Sequence, residues 1–482
     1  MAEQSVVPVA SFAPLSRSGV VAGLSWAQMV IVAAGVAPTA VRFMGGDLPG
    51  GLLQTLWWSL PVVVFGAGSW AGRSYVSRVA TLGVFMLRRR LGQTRAVIDP
   101  MASRELGRIN VPGAVGERVK TLSLVGTRFA GAAFLWDRAA GTATAVLRVA
   151  THGWMLADPA VKASRARAFD EMCRALADLE GVVRVVSHAR TFPGSRAELD
   201  RPGDGSWVDD EYAELLEHPT LGEVLHRDVL IAVTVSKEKV RGEIRAAGGG
   251  RAGMSAVLAD RIASMLAYLP ACGVRTEGAA WLSEAQIRGA VRLAFDPQAA
   301  SWLAELDGCL PQDAVLTGVV DEKLDHLVTD SAVHKTLWIE RWPSTEVPAG
   351  YLSELLGGGL FPHVVTQVWE PVPIHKAEVR LRRAESSHTS VARISEKIGR
   401  ATTSDHDAEA RELAQRRQEL SLGFGDTKYA GYVTVSAPDL AKLKEAIGYV
   451  NTHTGEARLN ALRGQQFASF ITSLPLGIGP RA

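Results

Sequence analysis

Two long stretches without a charge stand near the start of the chain, and no other feature restricts its fold so strongly. Between Arg17 and Arg42 lie 24 uncharged residues, and between Asp47 and Arg73 lie 25 more. Roughly 20 apolar residues, rising about 1.5 Å each, cross the ~30 Å hydrocarbon core of a bilayer. Backbone polar groups cannot face lipid unpaired, so both stretches are expected to be helical. The link Arg42–Asp47 has room only for a turn. The reading is a tail (1–18) and a transmembrane hairpin (19–72), with spans at about 19–41 and 48–72. Pro38 and Pro61 are tolerable in such helices, and Trp70 is expected at the interfacial end of the second. A signal peptide fits poorly, because the first span is too long and little positive charge precedes it. A pair of buried core helices is the competing reading.

Orientation follows from arginine. Arg73, Arg78, Arg88, Arg89, Arg90 and Arg95 fall in Arg73–Ala96, which holds no acid. Positive charge beside a span is retained in the cytoplasm, so both termini are expected there. This basic segment (73–100) reads either as a helix on the inner leaflet or as a continuation of the second span.

The remainder reads as an α+β body with two units, 101–330 and 331–482. In the first, Arg128–Trp136 and Thr142–Val149 form a hairpin around Asp137–Gly141. Helix 162–180, strand Val182–His188, strand Val229–Val235, helix 253–269 and strand Val274–Leu282 follow. In the second, strands Val333–Arg341, Val364–Glu370, Tyr432–Ser436 and Ala457–Leu462 alternate with helices Tyr351–Leu356 and Asp439–Val450. Strand–helix–strand runs of this kind suggest ferredoxin-like units, a compact sheet with helices on one face. Residues 376–421 hold 18 charged residues and one glycine, Gly399, and read as a projecting arm of two helices.

The chemistry is mostly negative. A formal charge of +2, from 52 basic and 50 acidic residues, does not favour sequence-specific nucleic-acid binding. Cys173, Cys272 and Cys309 lie far apart, without a CxxC. The sequence has no P-loop, no HExxH and no GxSxG. His218 and His226, beside Glu217 and Asp228, are the nearest approach to metal-ligand spacing, and chance accounts for them. Gly248–Gly253 matches GxGxxG without the preceding strand, and reads as a flexible loop. Asp209-Asp210-Glu211 reads as helix N-terminal charge. No catalytic, cofactor or metal residue is assigned.

Four features together resemble one family. They are the two spans with the basic segment; Phe134-Leu135-Trp136-Asp137-Arg138 followed by Thr142–Val149; Val291-Arg292-Leu293-Ala294-Phe295-Asp296-Pro297; and Phe467-Ala468 with Leu474-Pro475-Leu476-Gly477. The chain resembles actinobacterial integral membrane proteins of conjugative, type IV secretion-like loci. These look like a PrgI-type membrane segment joined to the amino-terminal part of the conjugation ATPase, without its motor. Leu476 and Gly479 stand where a cysteine-containing version of the last string is expected. The resemblance implies a non-enzymatic inner-membrane component. Its partners would be a separate ATPase, other membrane subunits, the bilayer and further copies of itself. A two-span, EccE-type component of a type VII system is the alternative, and a membrane-tethered enzyme a third.

Overall fold

The uncharged stretches fold as helices, but shorter ones than their length suggests. The structure, a computed structural model, describes residues 9–10, 25–45, 50–70, 73–99, 107–151, 153–154, 156–194, 206–217, 225–276, 280–343, 347–348, 350–359, 361–372, 426–479 and a few residues within 377–417. Val9–Ala10 (β1) precedes the first helix, α1 (Trp26–Met44). Ser25 opens α1 with a capping box: its Oγ accepts from the Gln28 backbone N–H, and its own N–H donates to the Gln28 side chain. The second helix, α2, is Gly50–Ala67, so the span expected to reach residue 72 stops five residues earlier. Gly68 ends it by packing on the Tyr75 ring, where a Cβ would stand 2.4 Å from a ring carbon. The chain reverses through β2 (Ser69–Trp70) and β3 (Arg73–Ser74), and Trp70 therefore lies beyond the helix. Ser74 then caps a new helix, α3 (Tyr75–Arg90), by accepting from Ser77 N–H. The basic segment is thus a separate helix and does not continue α2. It leads into β4 (Arg95–Val97).

The body is α+β, built on one large antiparallel sheet. Its first half comprises β5 (Val119–Ser123), β6 (Ala133–Asp137), β7 (Thr142–Thr151), β8 (Val182–Pro193), β9 (Leu225–Ser236) and β10 (Val274–Arg275). Its second comprises β11 (Val319–Glu322), β12 (Leu327–Val328), β13 (Val333–Arg341), β15 (His363–Val372), β16 (Asp426–Ala437) and β17 (Arg458–Ala461), while β14 (Val347–Pro348) pairs with β1 instead. The strand order is β4-β11-β12-β13-β16-β15-β8-β9-β7-β6-β5, with β10 on β7 and β17 on β13. The expected strand Val274–Leu282 is cut short: after β10, contact with β7 resumes as a bridge between Trp281 and Leu147.

The two halves have one connectivity. Helix Pro159–Asp178 links β7 to β8, β9 inserts between them, and helix Gly250–Tyr268 leads to β10 outside β7. Helix Ser353–Gly358 links β13 to β15, β16 inserts between them, and helix Leu440–His453 leads to β17 outside β13. Each is a split β-α-β-β-α-β arrangement, extended by a preceding hairpin, β5–β6 or β11–β12. Strands β8 and β15 join the halves, with Ser187 opposite Gln367. Val233-Thr234-Val235-Ser236 in β9 recurs as Val433-Thr434-Val435-Ser436 in β16. Registers agree too: Thr144 faces Thr234 and Thr336 faces Thr434. The two halves of the body thus share one topology, and among the described strands of the sheet β4 is the one without a counterpart in the other half.

Both faces of the sheet are covered, contrary to the expectation of helices on one face. The four linking helices bury Met172, Leu258, Leu355 and Leu443 against one face. On the other, Val186, Leu230, Val368 and Tyr432 meet Ile287, Val291, Phe470, Leu474 and Leu476. The reason is visible in strand sequence: Val229–Val233 is apolar on both sides, so neither face can be left to water. Gly477 fits at φ +64°, and a Cβ there would fall 2.5 Å from Thr234 Oγ1. The arm expected at 376–421 lies largely outside the described residues. Among those described, Ala377 and Leu381 are buried and Arg417 donates to Glu385 at 2.9 Å.

Candidate membrane-proximal interface

α1 is apolar on nearly every side because its sequence carries one charge, Arg42 in its last turn. α2 carries none. The two pack closely where side chains vanish. A Cβ at Gly35 would stand 2.9 Å from Val62 Cγ1, and one at Gly66 would stand 2.9 Å from Val32 Cγ2. Small residues at crossing points are how helices approach when both are surrounded by hydrocarbon. Three polar side chains turn inward. Gln28 Nε2 donates to the Gly66 carbonyl at 3.0 Å, and the hydroxyls of Thr39 and Ser59 lie 2.5 Å apart. Outside, among the described residues, large apolar side chains dominate: Trp26, Val30, Val41, Phe43, Trp57, Trp58, Leu60 and Val64 are all exposed, with Arg42 at the end of α1. A surface groove of about 410 Å³ lined by Trp57, Trp58, Pro61, Val62 and Phe65 runs along α2. Among the described residues α1 is the one helix long and apolar enough to cross a membrane, and the protein itself buries 11% of it. Trp57–Ala67 is a shorter apolar run.

α3 is tied to both neighbours. Tyr75 stacks on Phe65 of α2, with ring centroids 6.3 Å apart. One turn from its end, Phe85 is 1% exposed and rests on Gly464, where a Cβ would meet it at 3.1 Å. Arg88 follows on the same side and pairs with the buried Glu322 at 2.9 Å. Glu322 also accepts from Phe467 N–H at 3.1 Å, which brings the terminal motif to this joint. Away from the body, α3 exposes Val79, Leu82, Val84, Met86 and Leu87, with Arg89 and Arg90 at its end. Sequence reasoning saw the arginines but not this division among them. The signal available was Phe85 at i−3 from Arg88, which places both on one helix side.

The other candidate residues are taken up by the fold. Gly248, Gly249 and Gly250 all have positive φ in a tight turn between helices Arg241–Ala246 and Gly250–Tyr268. Their first two N–H groups donate to Arg245 and Ile244 carbonyls. Gly253 lets the second helix touch the first, since a Cβ would fall 2.2 Å from Ile244 O. The glycines shape a corner and are not a flexible loop. His226 stacks on Phe192, and Asp228 is bound by Arg190, whose Nε donates at 2.7 Å. Burial pushes the Asp228 carboxyl up, but Arg190, with Arg148 and His226 adding to it, holds the group below the usual carboxylate range. His218 lies outside the described residues. Asp209 and Asp210 occupy the first turn of helix Trp207–Glu217, where the macrodipole favours them. Burial, with Asp170 adding to it, pushes the Cys173 thiol up to about 12, so it remains protonated. His188 and His334 are buried at the sheet's centre, bonded to Thr366 and to Thr329 and Ser436. Among the described residues no group of three or more His, Cys, Asp or Glu is placed to hold a metal ion. Neither a scan against protein-family models nor a search among curated proteins returns a match.

Proposed function

We propose that this protein is a membrane-anchored, non-enzymatic structural component that holds its α+β body against the cytoplasmic side of a bilayer. The observation that carries the reading is the bare helix pair. Gln28, Thr39 and Ser59 bond within the pair, and among its described residues the exposed large side chains are apolar apart from Arg42 at the end of α1. Surface of that kind requires lipid or a partner. The path of the chain supports a there-and-back crossing. Before α1, β1 pairs with β14 of the body; after α2, α3 docks on the body through Phe85. Both ends of the pair therefore return to one side, and the arginines of 73–100 favour the cytoplasm.

The resemblance to conjugative, type IV secretion-like membrane components extends the reading. The body would dock a separate ATPase and sit among other membrane subunits. Alone, the purified protein is then expected neither to bind nor to hydrolyse ATP, and turnover that tracks the protein through purification would overturn this part.

The membrane reading has its own test. The protein should resist alkaline extraction from membranes. A cysteine placed at Gly45 should react with an impermeant maleimide from outside the cell, and one placed beyond Gly479 should not. Release at alkaline pH would remove the anchor; the reverse labelling pattern would invert the orientation.

A further inference from the structure

α3 presents a combination that neither the body nor the helix pair explains. It is 16 residues long, or about 24 Å. Phe85 and Arg88 fasten one side to the body. The rest exposes large apolar side chains: Val79 at 55%, Met86 at 50% and Leu87 at 58%. A helix facing water would not carry such a surface. No acid lies anywhere in Arg73–Ala96, and Arg89 and Arg90 are exposed beside the apolar side chains. The helix begins eight residues after the last residue of α2, to which Tyr75 is stacked. It therefore sits where a membrane-crossing pair would leave the bilayer. Apolar side chains flanked by arginine, without acid, match the boundary between acyl chains and anionic headgroups.

We infer that α3 is a body-locked interfacial helix that binds anionic phospholipid, with its three consecutive arginines divided in role. Arg88 is spent on Glu322 and fixes the helix to the body. Arg89 and Arg90 meet lipid phosphate, while Val79, Leu82 and Met86 enter the acyl boundary. Because β4 follows α3 directly and pairs with β11, the helix sets the sheet's outer edge against the membrane surface. The inference rests on the membrane reading above.

The test uses the full chain reconstituted into bilayers. These contain a photoactivatable phosphatidylglycerol or, in parallel, the same probe on phosphatidylcholine, and labelled peptides are mapped by mass spectrometry. The expected result is labelling of residues 79–91 that favours phosphatidylglycerol. Arg89→Gln with Arg90→Gln should cut that preference about thirtyfold, since each basic residue near an anionic surface contributes about a fivefold change. Arg88→Gln should leave the preference in place. If residues 26–67 are labelled and 75–91 are not, α3 does not meet lipid; this inference falls and the anchor stands. If neither region is labelled, the anchor falls as well. Equal labelling by both lipids, indifferent to Arg89 and Arg90, would overturn the charge recognition.

Discussion

Thr234 and Thr434 hold the same place in the two halves of the sheet. Each is the second residue of a Val-Thr-Val-Ser strand, each is buried, and each hydroxyl meets that of a threonine on the neighbouring strand. Thr144 lies 3.0 Å from Thr234, and Thr336 lies 2.9 Å from Thr434. A buried hydroxyl left without a partner costs more than the bond itself contributes.

The second pair is the simpler to test. Thr336→Val or Thr434→Val alone should each destabilise by ~1–3 kcal/mol, because one hydroxyl is then stranded in the core. The double variant should cost clearly less than the sum, since both hydroxyls leave together. Urea unfolding of the four proteins measures this, and strictly additive losses would mean the pair is not coupled.

Gly477 and Gly83 make a contrast of opposite sign. Gly477→Ala forces a Cβ to 2.5 Å from Thr234 Oγ1 at φ +64°, so the terminal segment must shift off the sheet. Its melting temperature should fall by several degrees, as a loss of ~1–3 kcal/mol would produce. At Gly83, inside α3, a Cβ meets nothing within 4 Å. Gly83→Ala should be neutral, or stabilise by about 0.5–1 kcal/mol through helix propensity. Thermal melts in detergent decide both.

The helix pair depends on Gly35. Cysteines at Thr39 and Ser59, whose hydroxyls touch, should form a disulfide readily in a variant lacking Cys173, Cys272 and Cys309. Adding Gly35→Leu should abolish that cross-link, because Val62 already fills the space. Undiminished cross-linking in the leucine variant would show that the close approach is not needed.

Stability should fall on mild acidification. Burial, reinforced for His188 by Arg190, lowers its pKa to about 3; burial lowers that of His334 to about 4. Both rings are neutral when folded, whereas an unfolded histidine takes a proton near pH 6.5. The unfolded state therefore binds more protons below about pH 6.5, and stability declines as pH drops from there toward 4. The loss by pH 4.5 should be on the order of a few kcal/mol for the two together. Urea midpoints at pH 7.5 and 4.5 measure it. His334→Gln should flatten the slope, and an unchanged slope would remove His334 from the account.

Much of the architecture was legible because it is written in local pattern. Helix Pro159–Asp178 follows the apolar spacing of Met172 and Leu176 and ends before Gly181, at φ +92°, whose conformation no side chain favours. Asp439 caps the helix Leu440–His453 by accepting from Ala441 and Lys442 N–H. Asp137 makes its turn by accepting from Ala139 and Ala140. The arginines, the uncharged stretches and the missing catalytic motifs were equally plain.

Other features depend on residues far apart in the chain. The shared topology has an echo in the sequence as two copies of Val-Thr-Val-Ser, yet four residues recur too easily to prove a repeat. Pairing adds that both copies stand at one register opposite a threonine. The candidate interface divides the same way. Its charge and apolar character came from the sequence alone. That Arg88 turns to Glu322 while Arg89 and Arg90 remain outside was decided by tertiary structure. Helical period places Arg88 beside Phe85, but only the fold brings a buried carboxylate from 234 residues away to meet it.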